Sequence, residues 1–398
     1  MFQILFGCLL FSGAMAMAAA AENAPGVTDR EIKIGQTMPY TGPGAWLSSV
    51  GLAEKAYMQM INDQGGINGR KINLISVDDG YQPWRTGNET RKLIEVERVA
   101  FTFGSIGTPT QLAVAKYLNE RKIPQLFIES GAYRWGNYKE TPYSIGGVHP
   151  SYRLGARLYT RHVLRQNPNA KICILYEDND FGRDYTAGVR DVLGDKYAAT
   201  VREATYEFTD ASIDRQIVEF KAAGCTALIA ATLPPLAVQA IRKVNELGWS
   251  PLFFVNNVSA SVPVVLEPVG FDNCVGLLSY GYAKDPLDPA FEDDPAMKDW
   301  RAWMSKYLPG EDVRRPSFVN GYNSAATMVQ VLKQAGNDLS RENIMRQATN
   351  LRDVELPMLL PGIKINTSPT DYYPVQQLQL RRFDGKRWVR FGDLVYDE

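Results

Sequence analysis

Few side chains of this 398-residue chain are of the kind that performs covalent chemistry. Two histidines, His149 and His162, make up the whole imidazole complement, and alone they cannot build a common zinc site. No Gly-x-Gly-x-x-Gly follows a strand pattern, no Gly-x-x-x-x-Gly-Lys-Ser/Thr is present to cradle a phosphate, and no Gly-x-Ser-x-Gly elbow presents a serine. The run Glu177-Asp178-Asn179-Asp180 could supply a pair of catalytic carboxylates, but a solvated loop after a strand accounts for it more simply. What the sequence does offer is loops of binding chemistry. Gly104-Ser105-Ile106-Gly107-Thr108-Pro109-Thr110-Gln111 is the sharpest: Thr108 reads as a helix N-cap, Pro109 suits the first helical position and Gln111 completes a capping box, while the glycines let backbone approach a ligand. The loop Pro39 to Trp46 carries Trp46 as a candidate wall for an apolar or aromatic ligand. The loop Glu129 to Trp135 offers backbone at Gly131 and Ala132, a ring at Tyr133 and a carboxylate fork at Arg134.

These loops need elements to hold them, and the pattern supplies strand and helix in alternation. Strands are expected at Ile32–Met38, Lys71–Val77, Val99–Phe103 and Gln125–Ile128, with helices between them at about 49–62, 86–98 and 109–121. A second series follows Pro150: helix from Tyr152, strand at Lys171–Tyr176, helix from Phe181, then strands at Thr200–Phe208, Ala227–Ala231 and Leu252–Val255 separated by helices. Near-continuous apolar strands with helices between them imply parallel sheets covered on both faces, here in two α/β lobes split near His149. Beyond Cys274 the pattern loosens into a strand to Tyr282, three helices and a terminal hairpin about Asp384-Gly385. In such sheets a ligand sits beyond the carboxyl ends of the strands, where the loops above fall.

Composition narrows the class. Lys plus Arg is 43 and Asp plus Glu 44, so the net charge of -1 gives no electrostatic reason to expect nucleic acid. The apolar stretch Phe2–Phe11 followed by Ala14 to Ala21 reads as a secretory signal cleaved after Ala18 or Ala21, although no Lys or Arg follows Met1. It is too short to span a bilayer, as is every later window, so the protein is expected not to be membrane-spanning. Cys8 is not expected to be acylated. Cys173, Cys225 and Cys274 remain after processing; an odd count at wide spacing reads as three small buried hydrophobes and no disulfide framework.

Five segments together carry a family resemblance: Ile32-Lys33-Ile34-Gly35, Thr41-Gly42-Pro43, Ile61-Asn62-Asp63-Gln64-Gly65-Gly66-Ile67-Asn68-Gly69-Arg70, the Gly104-to-Gln111 loop and Asp180-Phe181-Gly182. On these the chain resembles the branched-chain amino-acid-type (Leu/Ile/Val-binding) substrate-binding proteins of bacterial ABC transporters, which have the type I periplasmic binding fold. The resemblance implies two doubly wound parallel-sheet lobes joined by a three-crossover hinge, with crossovers near Val148, Cys274 and Pro361–Pro369. The expected organisation is a signal peptide at 1–21, one lobe from 22–148 plus 275–361, and a second from 149–274 plus 362–398. It implies a periplasmic, non-enzymatic protein without cofactor that closes its lobes on a small-molecule solute and delivers it to a membrane permease, for which a monomer suffices. The family's ligand loops fall on Gly107–Thr108, Gly131–Tyr133, Phe181, Leu233–Pro234 and Asn256–Asn257, and Trp46, Arg134 and Tyr152 complete the candidate site. Amino-acid binders of the family use a hydroxyl residue at the place of Tyr133 and an acid at the place of Asn256-Asn257, and neither stands here. An ammonium buried without a carboxylate is costly. The expected ligand is therefore a carboxylate-bearing aromatic or aliphatic compound without need of an α-amino group, its carboxylate met by Arg134 or Arg153. The alternatives are a branched-chain amino acid, should Asp180 or another acid reach the cleft, and a ligand sensor for a membrane receptor.

Overall fold

A computed structural model describes residues 23–396, so the expected leader and its cleavage point lie outside the described residues. The first lobe is built on β1 (Glu31–Met38), α1 (Ser48–Asp63), β2 (Lys71–Asp78), α2 (Pro83–Glu95), β3 (Phe101–Phe103), α3 (Thr108–Glu120), β4 (Gln125–Ile128) and β5 (Ser144–Gly146). Its five strands pair in the order β2-β1-β3-β4-β5, all parallel. The second lobe follows with α4 (Tyr152–Gln166), β6 (Ile172–Glu177), α5 (Asp180–Leu193), the single turn α6 (Tyr197–Thr200), β7 (Val201–Tyr206), α7 (Asp214–Ala222), β8 (Ala227–Ala231), α8 (Pro234–Glu246), β9 (Leu252–Val255), the short α9 (Glu267–Val269) and β10 (Leu278–Gly281). The chain then passes through α10 (Pro295–Tyr307), α11 (Pro316–Ala335) and α12 (Arg341–Ala348), and ends in β11 (Gln377–Phe383), β12 (Trp388–Arg390) and β13 (Val395–Tyr396).

The second sheet has eight strands in the order β12-β11-β10-β9-β8-β6-β7, with β13 also on β11. Strands β7, β6, β8, β9 and β10 run parallel and repeat the first sheet's order; β11 to β13 close the edge antiparallel. Each lobe thus has a point where the strand order reverses, beside β1/β3 in one and β6/β8 in the other, and a crevice opens there at the strands' carboxyl ends. The central strands are apolar on both faces, as burial under helices demands: β8 is Ala-Leu-Ile-Ala-Ala, wholly buried.

Two of the expected lobe boundaries move. Strand β10 pairs with β9 and β11, so the second lobe runs on past Cys274 to Gly281. The later crossover also lies further on than Pro361, because residues 362–376 stay with the first lobe. Thr367 bonds Leu351 and Ala348, and the Tyr372 hydroxyl donates to the Pro142 carbonyl at 3.2 Å. Helix α11 packs along α1, placing Ser49 Oγ 2.6 Å from Ser317 Oγ and Gly321 against the backbone of Val50. A glycine is needed there: a Cβ would stand 2.4 Å from the Val50 carbonyl oxygen.

Cys173 and Cys225 form a disulfide, which corrects the expectation of three unpaired buried thiols; among the described residues Cys274 alone is free, and it is buried. The bond ties β6 to the residue that enters β8. Neighbouring parallel strands bring the two Cα atoms to 5.8 Å, inside the range a disulfide needs.

Candidate functional site

The crevices of the two lobes face each other and enclose a cavity of about 120 Å³, comparable to the ~150 Å³ that holds a benzene-sized guest. From the first lobe come Trp46 after β1, Ile106, Gly107 and Thr108 after β3, and Glu129 after β4. From the second come Tyr152 at the start of α4, Phe181 after β6, Leu233 and Pro234 after β8, and Asn257 after β9. The walls between are largely apolar.

Local sequence explains these placements. Gly107, not Thr108, is the N-cap of α3 and has φ +106°; a Cβ there would meet Thr110 Oγ1 at 2.5 Å and the Tyr81 ring at 2.6 Å. The expected capping box is therefore not made. Thr108 Oγ1 instead lies 2.7 Å from Ser130 Oγ, and the Gln111 amide donates to Thr37 Oγ1 at 3.1 Å, cross-linking strand ends. In the second lobe Asn179 caps α5, its Oδ1 accepting from the Phe181 and Gly182 amides, which fixes Phe181 at the helix's first turn. The Phe181 ring meets Tyr152 edge-on at 4.9 Å and Tyr185 at 5.8 Å.

Of the residues expected at the site, Trp46, Gly107, Thr108, Tyr152, Phe181, Leu233 and Asn257 line the cleft. The others do not. Gly131 lies under Tyr152, where a Cβ would stand 2.8 Å from the ring, so its smallness serves the packing of that tyrosine. Ala132 is buried against Ile128 and Trp135. Tyr133 is on the rim, its ring 5.3 Å from that of Tyr373 and covered by the Arg153 guanidinium at 4.6 Å. Arg134 pairs with Asp180 at 2.9 Å, and Arg153 with Asp191, so neither presents a free fork to the cleft. Asn256 is wholly buried and structural: its amide donates to the Ala230 and Thr232 carbonyls, and its Oδ1 caps the turn at Ser259.

The charged groups that do line the cleft are ones the loop reading passed over. Arg315, the N-cap position of α11, donates from Nη2 to the Trp46 carbonyl at 2.6 Å, and its buried Nε has no partner among the described residues. Trp46 Nε1 and Ser261 Oγ are likewise buried without a partner. Glu129 accepts from Ser324 Oγ through Oε1, and burial pushes its carboxyl up to about 7. Beneath it Glu54 is fully buried, hydrogen-bonded by Gln36, and held well above the usual carboxylate range by burial and by Glu129. His149, on the cleft wall, is pushed down to about 4 by burial and is neutral near pH 7. Asn320 accepts from the Tyr282 hydroxyl at 3.2 Å, and the Tyr280 hydroxyl donates to Asn257 at 2.8 Å. No group of three or more His, Cys, Asp or Glu that could hold a metal occurs among the described residues.

The cleft is closed over by contacts between the lobes. The Tyr133 amide donates to Asp184 at 2.6 Å, Arg134 reaches Asp180, Arg314 pairs with Glu267 at 2.6 Å, and the Tyr81 and Phe208 rings lie 5.2 Å apart. The run that could have been a catalytic cluster is dispersed among structural roles. Asn179 caps α5, Asp178 pairs with Arg183 and Asp180 with Arg134. Glu177 is buried, raised to about 7, and bonded by Asn179.

Two α/β lobes with a ligand-sized cleft at both strand-order reversals define a solute-binding protein of the type I periplasmic binding fold. The sequence signature of the periplasmic binding proteins matches residues 31–387, and the chain belongs to that family. It is 25% identical over 351 residues to the Leu/Ile/Val-binding protein homolog 7 of Brucella abortus (strain 2308), covering 85% of each chain. Among solved structures it superposes on a valine-bound branched-chain amino acid ABC transporter protein of Thermus thermophilus with TM-score 0.82. That match has 16% identity and covers 93% of this chain and 98% of the other. It is also similar to a fatty acid ABC transporter substrate-binding protein from Thermomonospora curvata, with TM-score 0.75 and 20% identity over 95% of each chain.

Proposed function

We propose that this protein is the extracytoplasmic solute-binding component of an ABC importer and that it captures a small carboxylate-bearing compound, aromatic or aliphatic, by closing its two lobes. The observation that carries the ligand class is Arg315, the one cationic side chain lining the cleft among the described residues, with a buried Nε–H left unpartnered. A buried donor without an acceptor is costly, and a carboxylate is the planar acceptor a guanidinium fits best. This replaces the expected anchors Arg134 and Arg153, which are held by Asp180 and Asp191. Export is supported by the signal-like pattern of Phe2–Phe11 and Ala14–Ala21 and by the Cys173–Cys225 bond, since disulfides persist mainly in oxidising compartments. No helix among the described residues is long and apolar enough to cross a membrane. Delivery to a membrane permease, as a monomer, follows the family pattern.

A branched-chain amino acid is the second reading, favoured by one observation: Glu129 brings to the cleft an acid that could hold an ammonium. A thermal-shift screen separates the two. The panel holds aliphatic and aromatic carboxylates, their amides, and leucine, isoleucine and valine. A ligand at 100 times its dissociation constant adds about 2.7 kcal/mol of stability. A raised melting temperature with amine-free acids, and none with the amides, supports the proposal. A shift with the amino acids alone replaces it by the second reading.

A further inference from the structure

Two charged side chains line the cleft, and the helices that hold them set them apart. Helix α11 forms one wall, contributing Pro316, Ser317 and Asn320 to the lining, with Arg315 at its N-terminus and Ser324 bonding Glu129 further along. From Arg315 to Ser324 is nine residues, a rise of about 13 Å along the helix axis. Helix α1 runs beside α11 and gives a second measure. Trp46, whose carbonyl holds the Arg315 guanidinium, precedes it, and Glu54, which faces Glu129, lies eight residues on, again about 12 Å. The bond to Trp46 keeps the guanidinium at its own end. Leu47, Val50, Ile106, Phe181 and Leu233 add apolar wall to the same cleft. Glu129 Oε1 takes the Ser324 hydroxyl, and Oε2 receives no hydrogen bond among the described residues.

We propose that the cleft recognises an elongated carboxylate with a hydrogen-bond donor, hydroxyl or ammonium, at its far end. Arg315 takes the carboxylate, Glu129 takes the donor, and the apolar walls take the chain or ring between. On that backbone spacing, with a hydrogen bond of about 3 Å at each end, the two polar groups of the ligand stand roughly 6 Å apart. The adjacent amine and carboxylate of an α-amino acid cannot span that distance. An ω-hydroxy or ω-amino aliphatic acid can, and so can a para-hydroxyphenyl alkanoic acid. This inference rests on the carboxylate-binding reading above and adds the far-end group to it.

Calorimetric titration of the protein with matched ligands is the test: hexanoate against 2-hydroxyhexanoate and 6-hydroxyhexanoate, and 3-phenylpropanoate against 3-(4-hydroxyphenyl)propanoate. A donor meeting a buried, otherwise unpaired acceptor is expected to improve affinity by about tenfold or more. The far-end hydroxyl should bring that gain and the 2-hydroxyl should not. In Glu129→Gln the ratio of hydroxylated to plain acid should fall toward one, and Arg315→Gln should weaken both members of each pair. Equal binding of plain and far-end-hydroxylated acids, or a preference that survives Glu129→Gln, overturns the inference and leaves the carboxylate reading in place. Binding of none of these acids by the folded protein overturns both.

Discussion

Cys225 stands at the entry to β8 and Cys173 inside β6, 52 residues earlier. Closing a loop of that length removes denatured-state entropy worth about 4 kcal/mol. Cys225→Ala should therefore lower the melting temperature by many degrees. Dithiothreitol should reproduce the drop in the natural protein and leave the variant unmoved; a variant as stable as its parent would show that the bond is not formed. The pairing was illegible in the sequence because an odd number of widely spaced cysteines does not reveal which strands lie side by side. Arg315 and Glu129 were illegible for a related reason: a single charge beside a helix start or after a strand has no periodicity to betray it. Glu129, Glu177 and Asp184 are all raised to about 7 by burial. Each contributes stability in its protonated form, fully present below the ordinary carboxylate range and lost as pH rises through about 7. His149, depressed to about 4, works in the opposite sense, and most of its change lies below its ordinary 6.5. Between pH 6.5 and 8.5 the acids decide, and the ligand-free protein should melt lower at pH 8.5. Glu177→Gln should flatten that slope.

At the scale of the element, the first turn of α3 shows what local pattern can and cannot give. Thr108, Pro109 and Gln111 marked a helix start correctly, and the helix begins at Thr108. The polar side chains nevertheless turn away from capping, because both are buried where strand ends offer Ser130 and Thr37 as partners. The glycine before them carries the geometry. Gly107→Ala should both strain the backbone at φ +106° and drive a methyl into Tyr81. Left-handed backbone and collision together cost of order 1–3 kcal/mol. A melt of the variant together with a ligand titration checks this: both stability and affinity should fall, and an unchanged affinity would mean the turn does not shape the cleft. Strand β5, only Ser144–Gly146, was missed because three residues hold too little pattern to separate a short edge strand from a loop. Strand β10 was seen but assigned to the wrong lobe, since membership is fixed by pairing with β9 and β11 and not by its own residues.

For the whole molecule, alternation of apolar strands with helices was enough to read two α/β lobes, and the matching orders of β2-β1-β3-β4-β5 and β7-β6-β8-β9-β10 give that reading its structural form. Which loop residues face inward was legible only in part. Tyr133 and Arg134 share a loop with Glu129, yet the rim contacts draw them to the second lobe while Glu129 turns into the cleft. Arg134–Asp180 and Arg314–Glu267 bridge the lobes at exposed positions, where an ion pair contributes about 0.2–1 kcal/mol. Arg134→Ala combined with Arg314→Ala should thus weaken ligand binding by no more than about thirtyfold, less so at high salt. A loss of a hundredfold or more would mean that these arginines touch the ligand.

The central claim is that one solute is held by both lobes at once. The most direct measurement is calorimetric titration of the best carboxylate from the screen into the natural protein, Thr108→Val and Phe181→Ala. Thr108 belongs to the first lobe and Phe181 to the second, and both line the cleft. Truncating Phe181 removes apolar contact worth about 1.5–3 kcal/mol, a tenfold or greater rise in dissociation constant, and Thr108→Val should raise it as well. Binding at one site per chain that weakens in both variants is the predicted result; an affinity unchanged by either one would place the ligand on a single lobe and contradict the account.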